Sequence, residues 1–377
     1  MATAADDDGA RHPSPLSDRH LRRTERLGSA RHLLPLRRDH RRAPARADRE
    51  VPLVRPTLVA PTLEEIRRAH EIINREIGLP TPLIHSPGLS EHLNAHVSIK
   101  LEAATPTSAF KVRGGIYLAS QLGVDARERG LVTASTGNHG QSIAYGAAVA
   151  GTSATIFMPT DANPDKVTAI ERFGGRVELV GERVDECFIA AAEYAHERGA
   201  LYVEPVNQPT LIAGVATAAL EVLETQQPDT ELVIVPLGGG TGASGWVLVR
   251  DGLGHPAEVW AAQSSQAPAV HDAWRSGKME PRPNRTLAEG IATGVVFELP
   301  LGILRASLND FILADDGQIL TGLRRLWDLQ HIMSEPAGAV GVAAAEQERE
   351  RLSGKRVVIV VSGANATRAQ LAKWLGD

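Results

Sequence analysis

Lysine is scarce in this chain: six lysines stand against thirty-four arginines. One of them, Lys111, lies between Phe110 and Val112, just before Gly114 and Gly115. A lysine in an apolar run either snorkels its ammonium to the surface or is held as an amine. Burial disfavours the charged form, lowers the pKa and leaves a usable nucleophile and base. Sequence alone leaves both readings of Lys111 open.

Three further segments carry residue types suited to ligand binding. Leu232-Val-Ile-Val-Pro-Leu237 runs into Gly238-Gly-Gly-Thr-Gly-Ala-Ser-Gly245. An apolar strand, a glycine-rich turn and a helix start let free amides approach a phosphate closely, helped by the helix dipole. Thr241 offers one more donor. The stretch also holds a literal GxGxxG at Gly240, Gly242 and Gly245, so a dinucleotide site is the rival. That site expects an acid at the end of the next strand, where this chain has Gln263. Ser135-Thr136-Gly137-Asn138-His139 again follows a strand and opens a helix. Its small residues expose amides for a second anion such as a carboxylate, and Asn138 can orient a ligand oxygen. Ser135 and His139 as a hydrolase pair lack an acid partner nearby. His139 alone reads as a helix-start residue or as a catalyst. The fourth segment, Val357-Val-Ile-Val-Val-Ser362-Gly-Ala-Asn365, is a buried strand ending in a serine that could bond a ring nitrogen.

These segments need a scaffold that gathers strand ends. Residues 66–77 read as a helix behind Thr62-Leu63-Glu64-Glu65, a capping box one residue short of ideal spacing. Strands are expected at 97–101, 130–134, 153–158, 176–180, 201–203, 232–236, 259–263 and 357–361. Helices are expected at 115–122, 139–150, 164–173, 184–197, 210–225 and 242–251. The alternation implies βαβ units, an α/β fold with mostly parallel sheets, and ligands at the carboxyl ends of strands.

Composition excludes several classes. Apolar residues form 43% of the 377-residue chain but aromatics only 4%, so small aliphatic side chains must fill the core. A net charge of −5 argues against a general nucleic-acid binder. Cys187 is the only cysteine, which rules out an intrachain disulfide and any multi-cysteine metal site. It reads as a small core residue on a helix. No membrane span or secretory signal is visible, so a cytoplasmic enzyme is expected. Residues 1–50 hold twelve arginines and no lysine, with little apolar periodicity. They read as a solvated, disordered tail (residues 1–54) rather than a nucleic-acid or membrane arm.

Together the segments resemble the fold-type II pyridoxal phosphate enzymes, and among them the threonine/serine dehydratases. The lysine segment, asparagine loop, glycine loop and late Ser-Gly-x-Asn occur in the family order, and Ser334-Glu-Pro-Ala-Gly338 resembles a further family motif. The resemblance covers residues 62–375. It implies a fold like the tryptophan synthase β subunit. Residues 55–130 and 208–377 would form the large domain and 131–207 the small one, with the cofactor between them.

The resemblance also implies roles. Lys111 carries pyridoxal 5'-phosphate as a Schiff base and then serves as base at Cα. Phe110 packs near the ring and Asn138 bonds its phenolic oxygen. Gly238, Gly239, Gly240 and Thr241 hold the phosphate, and Ser362 faces the pyridine nitrogen. Amides of Ser135, Thr136, Gly137, Asn138 and His139 bind the substrate carboxylate. A serine leaves the ring nitrogen largely unprotonated, so losing a β leaving group is favoured over transamination. The implied reaction is α,β-elimination from a 3-hydroxy amino acid of threonine or serine type, giving a 2-oxo acid and ammonia. β-Replacement, racemisation and binding without turnover are the alternatives.

Departures from the pattern bear on substrate. The usual Gly-Ser-Phe-Lys is Ser108-Ala-Phe-Lys here, and Thr241 ends the usual four-glycine loop. Thr136 stands where the family's serine racemases place a second acid/base serine. The strand end where the family binds a divalent metal reads Gln263-Ser-Ser-Gln-Ala-Pro-Ala269, without a carboxylate, so no metal is expected. A regulatory domain with isoleucine feedback is not expected, and a homodimer is. A start codon near Val51, Val54 or Val59 would delete the arginine-rich segment. The mass of the natural N-terminus tests this, and finding residues 1–50 would refute it.

Overall fold

A computed structural model describes residues 58–376; the segment expected to be a disordered tail lies outside them. From the N-terminal side the elements are α1 (Leu63–Ile77), β1 (Leu83–His85), α2 (Pro87–Leu93), β2 (His96–Leu101), α3 (Val112–Ser120) and α4 (Val124–Arg129). There follow β3 (Leu131–Ala134), α5 (Asn138–Ala150), β4 (Ala154–Met158), α6 (Pro164–Arg172), β5 (Arg176–Leu179), α7 (Val184–Arg198) and β6 (Leu201–Tyr202). Next come α8 (Pro209–Leu220), a π-helical turn Glu221–Gln226, β7 (Leu232–Pro236), α9 (Thr241–Leu253), β8 (Glu258–Ser264) and α10 (Ala269–Ser276). The remainder is a 3₁₀ turn Glu289–Ile291, α11 (Glu298–Ser307), β9 (Asp310–Ala314), α12 (Asp316–Gln330), α13 (Pro336–Gln347), α14 (Arg349–Leu352), β10 (Arg356–Val361) and α15 (Arg368–Leu375).

Two sheets result. Six strands run in the order β1-β2-β10-β7-β8-β9, parallel except for β1. Four parallel strands run in the order β5-β4-β3-β6. In β10, Val358 and Val360 enter one hydrophobic cluster, while Val357, Ile359 and Val361 enter another. Both faces of the sheet are covered, which is why its central strands read as continuous apolar runs rather than alternating ones. Cys187 is buried in the small sheet's core with Phe157 and Val132, as its sequence context predicts.

Several expected boundaries move. Thr62 and Glu65 form a complete capping box, so α1 begins at Leu63 rather than 66; three residues is the ideal separation, not one short of it. Helix α3 begins at Val112 rather than 115. The glycine pair there marks close contact, not a helix start. A Cβ on Gly115 would lie 2.1 Å from the Ser142 carbonyl oxygen, and one on Gly146 would lie 2.2 Å from that of Gly115. Only glycine lets α3 and α5 approach so closely, and both helices begin at residues proposed for the site. Strand β9 and helices α11, α12 and α15 correspond to no segment singled out in the sequence, while α13 opens within the motif at 334–338.

The run expected as one helix over 210–225 changes pitch at Glu221, and a buried charge cluster gives the reason. Lys100 Nζ donates to Glu221 Oε2 at 2.5 Å and to Gln226 Oε1 at 2.6 Å. Residues five apart stand ~140° apart on an α-helix, but an i→i+5 turn brings them to one side. Arg113 holds the centre of this cluster. Its Nε and Nη2 donate to the Glu102 carboxylate at 2.7 and 2.9 Å, and its Nη1 donates to Glu221 Oε1 at 2.6 Å. Lys100, Glu102, Arg113 and Glu221 are 0–1% exposed, with two charges of each sign. Burial alone would raise the Glu221 carboxyl, but Arg113 and Lys100 pull it below the usual range. Arg113→Met leaves two buried carboxylates facing one lysine. It is expected to cost about 3–5 kcal/mol in urea unfolding, and a loss below about 1 kcal/mol would contradict this account of the cluster.

Candidate active site

Lys111 is the N-cap residue of α3, with no side-chain cap of its own. The segment before it is clasped to the exit of β10. Phe110 N donates to Ser362 O at 3.0 Å, Ala364 N donates to Ser108 O at 2.9 Å, and Ala109 bridges Gly363 antiparallel. The clasp brings Lys111 and Ser362, far apart in sequence, to one cavity of about 520 Å³. Ser108 holds φ at +52°, a conformation that favours glycine. On the other side, Ser142 at the second turn of α5 donates its hydroxyl to Lys111 O.

Lys111 Nζ lies 5.3 Å from the centre of the Phe110 ring. Burial pushes its pKa down to about 8. Roughly one amine in ten is then neutral at pH 7, against fewer than one in a thousand for an ordinary lysine. The cavity is also lined by Phe110, Ser135, Thr136, Gly137, Asn138, His139, Gly239 and Ser362. Gly238, Gly240 and Thr241 do not line it; they lie behind Gly239 at the start of α9.

Two helix N-termini meet here. Neither α5 nor α9 has a side-chain cap. Among the described residues, the amides of Thr136, Asn138 and His139, and of Gly238 through Thr241, have no backbone acceptor. Free amides at two helix starts suit two anionic groups. The glycine loop is also closely packed. A Cβ on Gly239 would sit 2.6 Å from a Val206 methyl, and Gly240 holds φ at +104°. The Phe110 ring lies 3.3 Å from where a Gly242 Cβ would be, so the lysine segment rests on α9.

His139 is a structural partner in this arrangement. The Thr133 hydroxyl has one proton and donates it to Val203 O at 2.8 Å. His139 Nε2, 3.0 Å from that oxygen, must therefore carry its own hydrogen and donate. Burial, then the Lys111 charge, push its pKa down to about 3. The ring stays neutral near pH 7, so it offers no imidazolium proton for acid chemistry.

Sequence reading assigned no role to two neighbours of Asn138. Its Nδ2 donates to Glu335 Oε1 at 2.7 Å, and its Oδ1 accepts from Asn365 Nδ2 at 2.7 Å. Glu335 is 8% exposed, and burial pushes its pKa up to about 7. Its sequence signals are its place in the motif at 334–338 and before Pro336, as the cap of α13, neither of which announces its bond to Asn138. Val206, Phe297, Lys166 and Arg172 also line the cavity, and no motif marks them.

The arrangement fits pyridoxal phosphate. A lysine amine with lowered pKa, a free hydrogen on Asn138 Nδ2, the Ser362 hydroxyl and a capless glycine loop match the group's aldehyde, ring oxygen, ring nitrogen and phosphate in chemical type. No helix among the described residues is long and apolar enough to cross a membrane.

Comparison with known proteins agrees. L-threonine ammonia-lyase of Thermotoga maritima is 35% identical over 260 residues, 69% of this chain and 64% of that protein. Serine racemase of Schizosaccharomyces pombe is 31% identical over 270 residues, 71% of this chain and 83% of that one. The chain thus spans less than two thirds of the threonine ammonia-lyase. Among solved structures, maize serine racemase superposes with a TM-score of 0.79 at 27% identity, covering 84% of this chain and 97% of that one. Processed threonine deaminase isoform 2 of Solanum lycopersicum gives 0.77 at 25%, covering 84% and 94%. These neighbours share the mostly parallel α/β fold described above. Residues 75–363 match the model of the pyridoxal-phosphate dependent enzymes, and with the lysine, asparagine and glycine segments gathered at one cavity, the chain belongs to that family.

Proposed function

We propose that the chain is an ammonia-lyase that eliminates the β-hydroxyl of a 3-hydroxy amino acid of threonine or serine type, giving a 2-oxo acid and ammonia. One observation carries this: the Lys111 amine, the capless start of α5, Gly239 just before the capless start of α9 and the Ser362 hydroxyl converge on a single cavity. The names of the relatives support the reaction class.

The bound cofactor supplies an electron sink. The chain's residues do the rest. Amides of Gly238, Gly239, Gly240 and Thr241 would hold the phosphate at the start of α9. Phe110 would pack beside the ring. The spare Asn138 Nδ2 hydrogen would meet the ring oxygen. Ser362 would bond the ring nitrogen without giving up its proton, since an alcohol is far too weak an acid. Amides of residues 135–139 would hold the substrate carboxylate, which aims the Cα–H bond at Lys111 Nζ. The neutral amine then takes the proton from Cα, and the β-hydroxyl leaves with its bonding electrons. Overall, the amino and hydroxyl groups are lost as ammonia and water, and water returned at Cα makes the 2-oxo acid. We further propose that residues 131–207, which hold the four-stranded sheet, close over the cavity as a separate body and exclude water.

Holoenzyme supplied with threonine, serine, threo-3-hydroxyaspartate and phenylserine is expected to release 2-oxo acid and ammonia in equal amounts from at least one. Product that remains an amino acid, inverted or replaced at Cβ, would overturn elimination in favour of racemisation or β-replacement. Lys111→Ala is expected to lower kcat/KM by about 10²–10⁴, and a loss below tenfold would remove Lys111 from the chemistry. Gly239→Ala adds a methyl where Val206 already stands and is expected to weaken pyridoxal phosphate binding by about tenfold or more, some 1.4 kcal/mol. Because the lysine must be neutral to react, the rate of cofactor capture should rise with pH and level off above about 8. A rate still climbing tenfold per unit past pH 9 would show an ordinary, unshifted lysine.

A further inference from the structure

The Asn138 side chain is held at both ends, and its orientation follows from a chain of partners. Thr107 O is a carbonyl and can only accept, and Asn365 Nδ2 lies 2.8 Å from it. The same Nδ2 lies 2.7 Å from Asn138, so the Asn138 atom facing it is Oδ1. The other end, Nδ2, therefore faces Glu335 and donates to it at 2.7 Å. One Nδ2 hydrogen remains for the cavity.

Glu335 is built into its place. Its backbone amide donates to Gly363 O at 3.1 Å. A Cβ on Gly363 would lie 2.5 Å from Glu335 Oε1, so that position leaves room for the carboxyl. Among the described residues, no cation contacts it. Lys166, on α6, is paired with Glu289 of the 3₁₀ turn, and these two are the charges that act on it, in opposite directions. Asp165, Arg172 and Arg368 stand exposed at the cavity mouth, and His139 is neutral.

We propose that Glu335 is a positioning residue for the reaction: it fixes the Asn138 amide toward the cofactor's ring oxygen and takes up a proton when the cofactor binds. The inference rests on the proposed function in one respect, that Asn138 faces that oxygen. A carboxylate and an anionic ring oxygen on the two hydrogens of one amide are like charges in a confined space, and one of them is better neutral. Neutral Glu335 still accepts from Asn138 through its carbonyl oxygen. Burial already brings the group's titration close to neutrality, so little work remains for the cofactor. The sign follows from linkage. A group whose proton affinity rises on binding makes binding weaken as pH climbs through the free-state pKa.

The test is equilibrium binding of pyridoxal phosphate to the cofactor-free full chain, wild type and Glu335→Gln, at several pH values. Lys111 titrates alike in both proteins, so the ratio of their dissociation constants isolates Glu335. With a rise of about one pKa unit on binding, the wild-type to variant ratio should be near one at about pH 6 and roughly eightfold at about pH 8.5. A merely structural role would shift both pH values equally, and a constant ratio overturns the proposal. If the glutamine variant does not fold, the infrared difference spectrum of wild type on adding cofactor at about pH 7.5 decides. A gained protonated-carboxyl band supports proton uptake, and its absence refutes it. Wild type that binds no cofactor at any pH overturns the underlying reading and this inference together; binding with a constant ratio overturns the inference alone.

Discussion

The amide of Phe110 donates to Ser362 O at 3.0 Å, and the amide of Ala364 donates to Ser108 O at 2.9 Å. These two backbone bonds join the approach to α3 with the exit of β10. Without them Lys111 and Ser362 would belong to unrelated parts of the chain. With them, an amine and a hydroxyl stand in one cavity at the carboxyl end of the central strands, where an open α/β sheet leaves room for ligands. The strap tolerates a left-handed Ser108, a conformation of modest cost that the flanking bonds hold in place.

The clasp works because both of its sides are anchored elsewhere. Behind Lys111, Arg113 is locked between Glu102 and Glu221, which ties the first turn of α3 to the end of β2 and to the π-helical turn. In front, Gly115 and Gly146 let α3 lie against α5 at backbone contact, which sets the asparagine loop beside the lysine segment. Small residues at helix crossings thus replace aromatic bulk, consistent with a chain that is 43% apolar but 4% aromatic. Buried polar geometry of this kind is stiff, since interior packing yields little.

Much of this was legible in the sequence, and the reasons differ by feature. Central strands such as 232–236 were clear because burial on both faces leaves an unbroken apolar run. Glycine loops were clear because close approach to an anion has few chemical solutions. The helix start at Leu63 follows from the capping box of Thr62 and Glu65, whereas the start at Val112 is hidden because Gly114 and Gly115 serve crossings with α8 and α5 that no local pattern announces. The π-helical turn at Glu221 was hidden for the same reason: it exists to set Glu221 and Gln226 beside Lys100, a residue more than a hundred positions earlier. Glu335 and Asn365 sat inside noticed motifs, yet their bonds to Asn138 join three distant segments. The role of His139 is not legible in the sequence, because its neutral state rests on Thr133 and Val203, neither of which a motif includes.

The central claim is that one particular amine meets the cofactor. The chain has six lysines, so the claim can be read directly from a covalent label. Holoenzyme treated with borohydride and digested should carry the reduced cofactor's mass on the peptide containing Lys111, and on no other. A label on Lys100, Lys166 or another lysine, or no label on a protein that visibly binds the cofactor, would contradict the account.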